Sequence, residues 1–187
     1  DPAYGCTVDS ALGTYPFGST NPVIVQIEGS AVNNRYLRDV IAREMSPSQF
    51  ISTALRAQAI AARTYAYWHI ETVSNINNSN AFQVFVPRAY DSFTPENRLK
   101  IEVAMVGRYY MSTETSDLPI FSEFFSDVPL QTQSHPNLNL YPYMKSVPDP
   151  ISLHPDISQA GHGHGMSQNG TGRWARGSSS RPVTPCW

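Results

Sequence analysis

Residues 36–70, YLRDVIAREMSPSQFISTALRAQAIAARTYAYWHI, limit the fold of this chain more than any other stretch. They read as two helices meeting at a corner. In the first, over residues 34–45, Leu37, Val40 and Ile41 recur at the i, i+3, i+4 spacing of a buried helical stripe. One turn further along that stripe stands Glu44. A carboxylate on the buried face, in the last turn of a helix, is an unusual place for a charge. Desolvation and the negative end of the helix dipole both favour its protonated form. The second helix marks its own start, with Ser46 as N-cap, Pro47 at the first helical position and Gln49 completing a capping box. From residue 50 to 70 its charges are Arg56 and Arg63, and six alanines (54, 57, 59, 61, 62 and 66) allow close approach of other backbone. A helix apolar nearly all round belongs in the middle of a domain.

The rest of the chain supplies short elements around that core. Strands are expected at residues 23–27, 82–86, 109–112, 119–125 and 143–147. Thr94-Pro95 opens a third helix by cap and proline, with Leu99, Val103 and Val106 on one face and Gly107 at its end. Polar loops span residues 74–80, 131–142 and 148–159, and residues 171–176 make a helical turn. Strands and helices without regular alternation argue an α+β fold, a central Ala-rich helix packed against short mixed strands. At 187 residues the chain reads as a single domain, 1–187, with an N-terminal arm at 1–22 and a C-terminal tail at 177–187.

Composition narrows the function. A net charge of −2 gives no electrostatic case for nucleic acid. No run of about 18 apolar residues exists, so no transmembrane segment is expected. Cys6 and Cys186 stand near opposite ends, and a disulfide between them, tying the terminal arms, suits an exported protein. Two unrelated thiols are the alternative. The opening Asp-Pro-Ala suits a mature form left after leader cleavage.

Two motifs carry a resemblance. The first is Tyr-Leu…Val-x-Ala-x-Glu-Met…Phe…Ala-Leu-x-Ala-Gln-Ala-x-Ala-Ala-Arg-Thr-Tyr, from Tyr36 to Tyr65; the second is Gly161-His162-Gly163-His164-Gly165-Met166-Ser167-Gln168. In this order and spacing they resemble the stage II sporulation protein D family, which includes lytic transglycosylases and amidase enhancers. The resemblance covers residues 31–175. It implies a glycan-binding cleft at the helix–helix corner, peptidoglycan glycan strands as partner and a secreted or cell-surface location. It departs from the family where Ser46-Pro47 replaces a lone proline after Glu-Met, and where Ser126-Asp127-Val128-Pro129 replaces a small-residue stretch.

Glu44 is the expected catalytic residue. Glycosidic cleavage needs a proton delivered to a poor leaving-group oxygen, so the acid must still hold it near neutral pH. An ion pair with Arg43 or Arg63 that locks the corner is the structural alternative. Most glycosidases use two carboxylates; Glu123 and Asp127 are weaker candidates for a second. The resemblance implies a transglycosylase, in which one residue serves as acid and then base. It also implies a substrate contact for Arg63, against a purely structural ion pair. Tyr143 and Lys145 share a strand face, where Tyr can stack on a sugar and Lys can bind a carboxylate or hydroxyl; a surface Tyr and a solvated Lys are the plain alternative. Glycines at 161, 163 and 165 let backbone approach a neighbour closely; His162 and His164 can serve as ligands, proton carriers or orienters, and one imidazole is expected to hydrogen-bond near Glu44, with Ser167 and Gln168 lining the cleft. A metal needs three or four converging ligands. Here only these two histidines are close in sequence, with His135 and His154 distant, so no cofactor is expected and zinc on His162 and His164 is the subordinate reading. Three functions thus stand: a lytic transglycosylase, a non-catalytic wall-binding protein that enhances a separate amidase, and a metal-dependent hydrolase.

Overall fold

A computed structural model describes residues 34–72, 82–86 and 88–177. The expected arm at 1–22, the strand at 23–27, the loop at 74–80 and the Cys6–Cys186 pair lie outside the described residues, as does all of the tail except Gly177. The fold is α+β, with four helices and two small two-stranded sheets among the described residues. They form two compact units, one ending at Ile120 and the other beginning at Phe121.

The first unit is helical. Helix α1 (Arg35–Glu44) starts where the sequence places it, with the Asn34 side chain accepting the Leu37 N–H at 3.1 Å. Its stripe of Leu37, Val40 and Ile41 is fully buried. Helix α2 (Ser52–Thr72) starts six residues later than the expected cap at Ser46. The Ser46 hydroxyl faces that of Ser48 at 2.8 Å, and residues 46–50 close a separate turn onto the Ser46 carbonyl. The helix then restarts with the Ile51 carbonyl accepting from Leu55 N–H. As expected of a central helix, α2 buries most of its residues, from Ala54 to His69, and packs on α1 and α3.

Helix α3 (Pro95–Ala104) opens on Thr94, whose hydroxyl accepts the Asn97 N–H at 3.4 Å, and Gly107 follows it at φ 85°. The face it buries is not the expected one. Ile101, Ala104 and the following Met105 pack inward, while Leu99, Val103 and Val106 are 57%, 47% and 63% exposed. Strand β1 (Ser112–Thr113) pairs antiparallel with β2 (Ser116–Pro119). Residues 109–111, expected as strand, are instead tied to α2: the Thr64 hydroxyl accepts the Met111 N–H at 2.9 Å, and Arg63 donates to the Tyr109 carbonyl at 2.9 Å.

Residues 82–86 do not form the expected strand. The Val84 N–H goes to a side chain, as described below, and the Val86 carbonyl accepts the Ala89 N–H of a turn, so no ladder forms. The expected strand at 119–125 is also interrupted: β2 ends at Pro119, and only β3 (Phe124–Phe125) follows.

In the second unit β3 runs parallel to β4 (Met166–Ser167), with Phe124 opposite Met166 and Phe125 opposite Ser167. Gln133 bridges to His164 on another segment, its N–H meeting the Gly163 carbonyl at 2.8 Å. Residues 143–147 are not a strand. They are held against residues 132–135 partly by side chains, the Thr132 hydroxyl accepting from Val147 N–H and the Ser146 hydroxyl donating to the Thr132 carbonyl. The turn expected at 171–176 is longer, a helix α4 (Gln168–Arg176) capped by Ser167, whose hydroxyl accepts from Gly170 N–H at 3.0 Å. Arg173 on α4 grips Asp127 with a two-pronged fork at 2.7 and 2.6 Å, a geometry that fixes orientation as well as charge. No helix among the described residues is long and apolar enough to cross a membrane.

His69, near the end of α2, is buried against the rings of Tyr65, Trp68 and Phe82. Burial pushes its pKa from 6.5 down to about 4. The native state therefore holds it neutral while the unfolded chain takes up a proton below 6.5, so stability falls with pH across that window. Urea unfolding at about pH 7 and about pH 4.5 should differ by about 2 kcal/mol from this group, and His69→Phe should remove that part of the difference.

Candidate functional site

Glu44 closes α1 and is half-buried. One carboxylate oxygen accepts the Val84 N–H at 2.6 Å, a short charge-assisted contact that fixes its rotamer. Val84 itself sits in a segment that α1 holds by other side chains. Tyr36, two turns earlier on the same helix, donates its hydroxyl to Gln83, whose amide nitrogen reaches the Ala62 carbonyl at 2.9 Å. Burial, with the nearby Tyr65 and Glu44, pushes the Tyr36 hydroxyl pKa well above its ordinary value, so it stays a donor. Asp39 takes the Arg88 and Tyr90 N–H groups on its two oxygens, at 2.9 and 3.0 Å. Its burial outweighs those bonds and raises its pKa to about 6.

Arg63 lies in the same unit and is 4% exposed, with its guanidinium on the Tyr109 carbonyl. Arg43 is exposed.

The remaining expected residues fall in the second unit. His162 and His164 come together, ring centroids 4.0 Å apart, and His135, distant in sequence, stacks edge-on to His164 at 4.8 Å. A fourth group joins them that the sequence offered only as a spare carboxylate. Glu123 Oε2 lies 2.6 Å from His164 Nδ1 and 3.7 Å from His135 Nε2. Potential ligand atoms of Glu123, His162 and His164 all lie within 4.8 Å of one another. Burial raises the Glu123 carboxyl pKa, while the neighbouring His162 and His135 draw it back down. Burial lowers the pKa of both His162 and His164, and His164 lowers that of His162 further against the opposing pull of Glu123.

The glycines make this convergence. Gly161, Gly163 and Gly165 have φ of 96°, 87° and 86°, conformations that disfavour side chains. A Cβ on Gly165 would fall 2.2 Å from the Glu123 carbonyl oxygen, so the two segments touch backbone to backbone. The long-range partner of the His run was therefore invisible to local pattern. Its one sequence signal was the glycine at every second position, which marks a close approach without naming the neighbour.

Tyr143 sits at the edge of an aromatic row that ends on the histidines. Its hydroxyl accepts the Phe121 N–H at 2.8 Å, Phe121 stacks on Tyr141 at 4.6 Å, and Tyr141 meets His135 at 4.7 Å. Lys145 is exposed. Ser167 and Gln168 are buried, and Ser167 is occupied in capping α4.

Residues 26–106 match the model of a family described as Stage II sporulation protein, SpoIID. The chain thus carries a SpoIID family domain there, of a family of cell-wall-processing proteins. The matched residues include Glu44 and Arg63; the Gly-His run at 161–165 lies beyond them. The chain is also similar to an uncharacterized protein of Brachyspira hyodysenteriae, 33% identical over 91 residues, which are 44% of this chain and 24% of the relative. The match thus spans about a quarter of that relative's length.

The backbone contact at Gly165 yields a sharp expectation. Gly165→Ala should destabilise the protein by about 2–3 kcal/mol, from the positive φ and the clash with a carbonyl that cannot swing aside. Gly161→Ala, whose nearest neighbour would be the Phe125 Cβ at 3.0 Å, should cost less. Thermal melts of the two variants give the comparison.

Proposed function

We propose that the SpoIID family domain at residues 26–106 makes this chain a lytic transglycosylase of peptidoglycan, exported or held at the cell surface, with Glu44 as its acid and base. The observation that carries the reading is the placement of Glu44. It is a half-buried carboxyl at the end of a buried helical stripe, with one oxygen fixed by the Val84 N–H. In this reading Glu44 donates its proton to the oxygen joining N-acetylmuramic acid to N-acetylglucosamine. The C1–O4 bond breaks and the departing sugar keeps that proton on its 4-hydroxyl. The muramic acid 6-hydroxyl then attacks C1 and returns its own proton to Glu44. The product carries a 1,6-anhydro ring, no water is consumed, and no second carboxylate is required.

Glycan contacts are part of the same proposal. Tyr143, with Tyr141 and Phe121, offers an aromatic face of the kind sugars stack on, and exposed Lys145 offers a cation for a glycan carboxylate. Arg63 reaches a glycan only by the little of its guanidinium that is exposed. Residues His162, His164, Ser167 and Gln168 are further glycan contacts in this proposal.

Mass spectrometry of products from purified glycan strands tests it. The wild type should release anhydro-terminated fragments, and Glu44→Gln, which still accepts the Val84 N–H, should stay folded and lose at least about a hundredfold in rate. Reducing ends in place of anhydro ends would make the enzyme a hydrolase. No product from folded wild type, on strands with and without stem peptides, would leave a wall-binding enhancer of a separate amidase.

A further inference from the structure

We infer that Glu123, His162 and His164 form a binding site for one divalent transition-metal ion, zinc fitting the donor set best. The inference is independent of Glu44 and of the transglycosylase reading. It starts from the backbone. The rings of His162 and His164 lie 4.0 Å apart, and Gly161 and Gly165 let their run lie directly on residues 123–126, while Gly163 lies against Gln133. Two imidazoles and one carboxylate are thereby brought together from positions about forty residues apart in the chain.

Glu123 Oε2 and His164 Nδ1 are shielded from solvent and stand 2.6 Å apart, yet neither completes a hydrogen bond of normal geometry. His162 Nδ1 is an acceptor, meeting the His164 N–H at a long 3.2 Å, so the ring proton of the neutral imidazole sits on Nε2. A hydrogen bond to the Phe124 backbone holds that ring. A metal at His162 Nδ1 would take the place of that long bond, while the Phe124 contact keeps the ring steadied from its other nitrogen, as metal-bound histidines usually are. His135 supplies a second shell. Its Nδ1 accepts the Asn137 N–H at 2.9 Å, which leaves the Nε2 proton directed at the Glu123 carboxylate 3.7 Å away.

The donor set selects the ion. Imidazole nitrogens disfavour magnesium and calcium, and two nitrogens with one carboxylate oxygen suit zinc at bond lengths of about 2.0–2.2 Å. Ligand atoms that close need only small side-chain rotations to reach tetrahedral spacing. His162 is exposed, so the fourth position faces solvent, giving the ion an entry path and room for a water or a substrate oxygen. An occupied site would also clamp residues 123 and 161–165 together.

Zinc chloride titrated calorimetrically into chelator-stripped protein tests this, in a Cys6→Ser/Cys186→Ser background so that thiols take no part. Cobalt(II) absorption reports the coordination directly. One ion should bind per chain, with visible cobalt bands of a four- or five-coordinate nitrogen–oxygen site and a rise in melting temperature. His162→Ala, at an exposed position, should keep the fold by circular dichroism and weaken binding at least about tenfold; His162→Ala/His164→Ala should abolish the cobalt bands. Folded protein that takes up no zinc at about 100-fold molar excess, or a double variant that binds as the parent does, would overturn the assignment. Loss of glycan cleavage by Glu44→Gln with intact zinc binding would leave it standing.

Discussion

Buried backbone donors have to be satisfied, and in the first unit two carboxylates on a single helix do that for a neighbouring segment without regular structure. Asp39 takes the N–H groups of Arg88 and Tyr90, and Glu44 takes that of Val84. Tyr36 on the same helix holds Gln83, which reaches on to α2. The buried Tyr90 donor left unpaired would cost roughly 1–3 kcal/mol, and the part-buried Arg88 and Val84 donors less. These contacts give α1 two roles. It contributes an apolar stripe to the core, and it acts as the template on which the segment containing residues 83–90 is laid. Glu44 is then constrained from both sides, by its own helix end and by a backbone it helps to hold.

That double duty explains which features were legible in the sequence. Helices α1 and α3 follow from local signals, an apolar stripe in one and Thr94-Pro95 in the other, and both signals act within one turn. The segment FQVFV is rich in strand-favouring apolar residues, but composition reports only which side chains are apolar. It is silent on whether the backbone finds a ladder or a set of carboxylates. The stripe of Leu99, Val103 and Val106 misled for a similar reason. Three apolar residues on one face mark a buried face only if a partner lies there, and α2 instead takes the face of Ile101 and Ala104. Ser46 misled because its hydroxyl found Ser48 before it found a helix N–H.

The second unit shows the limit more plainly. His162 and His164 were readable as a pair from spacing, and the glycines around them as a sign of close approach. What they approach is Glu123, some forty residues back, through a parallel pairing of only two residues on each strand. No local pattern encodes a contact of that span. The aromatic row from Tyr143 through Tyr141 to His135 was likewise half legible: Tyr143 stood out as a sugar-stacking candidate, while its connection to the histidines depends on how residues 132–147 fold back on themselves.

The two sites differ in how much substitution each can bear. At Glu44 an isosteric amide can still accept the Val84 N–H, so it changes the carboxyl while preserving that contact. Glu123 is different. Its backbone carbonyl accepts the Met166 N–H at 3.0 Å and lies where a Cβ on Gly165 would have to go, while its carboxylate faces His164. Backbone pairing and side-chain convergence are thus produced by the same glycine geometry, and a change that loosens one loosens the other. For that reason the exposed His162, which touches the paired strands only through its ring and takes no part in their backbone pairing, is the position at which binding and folding can best be told apart.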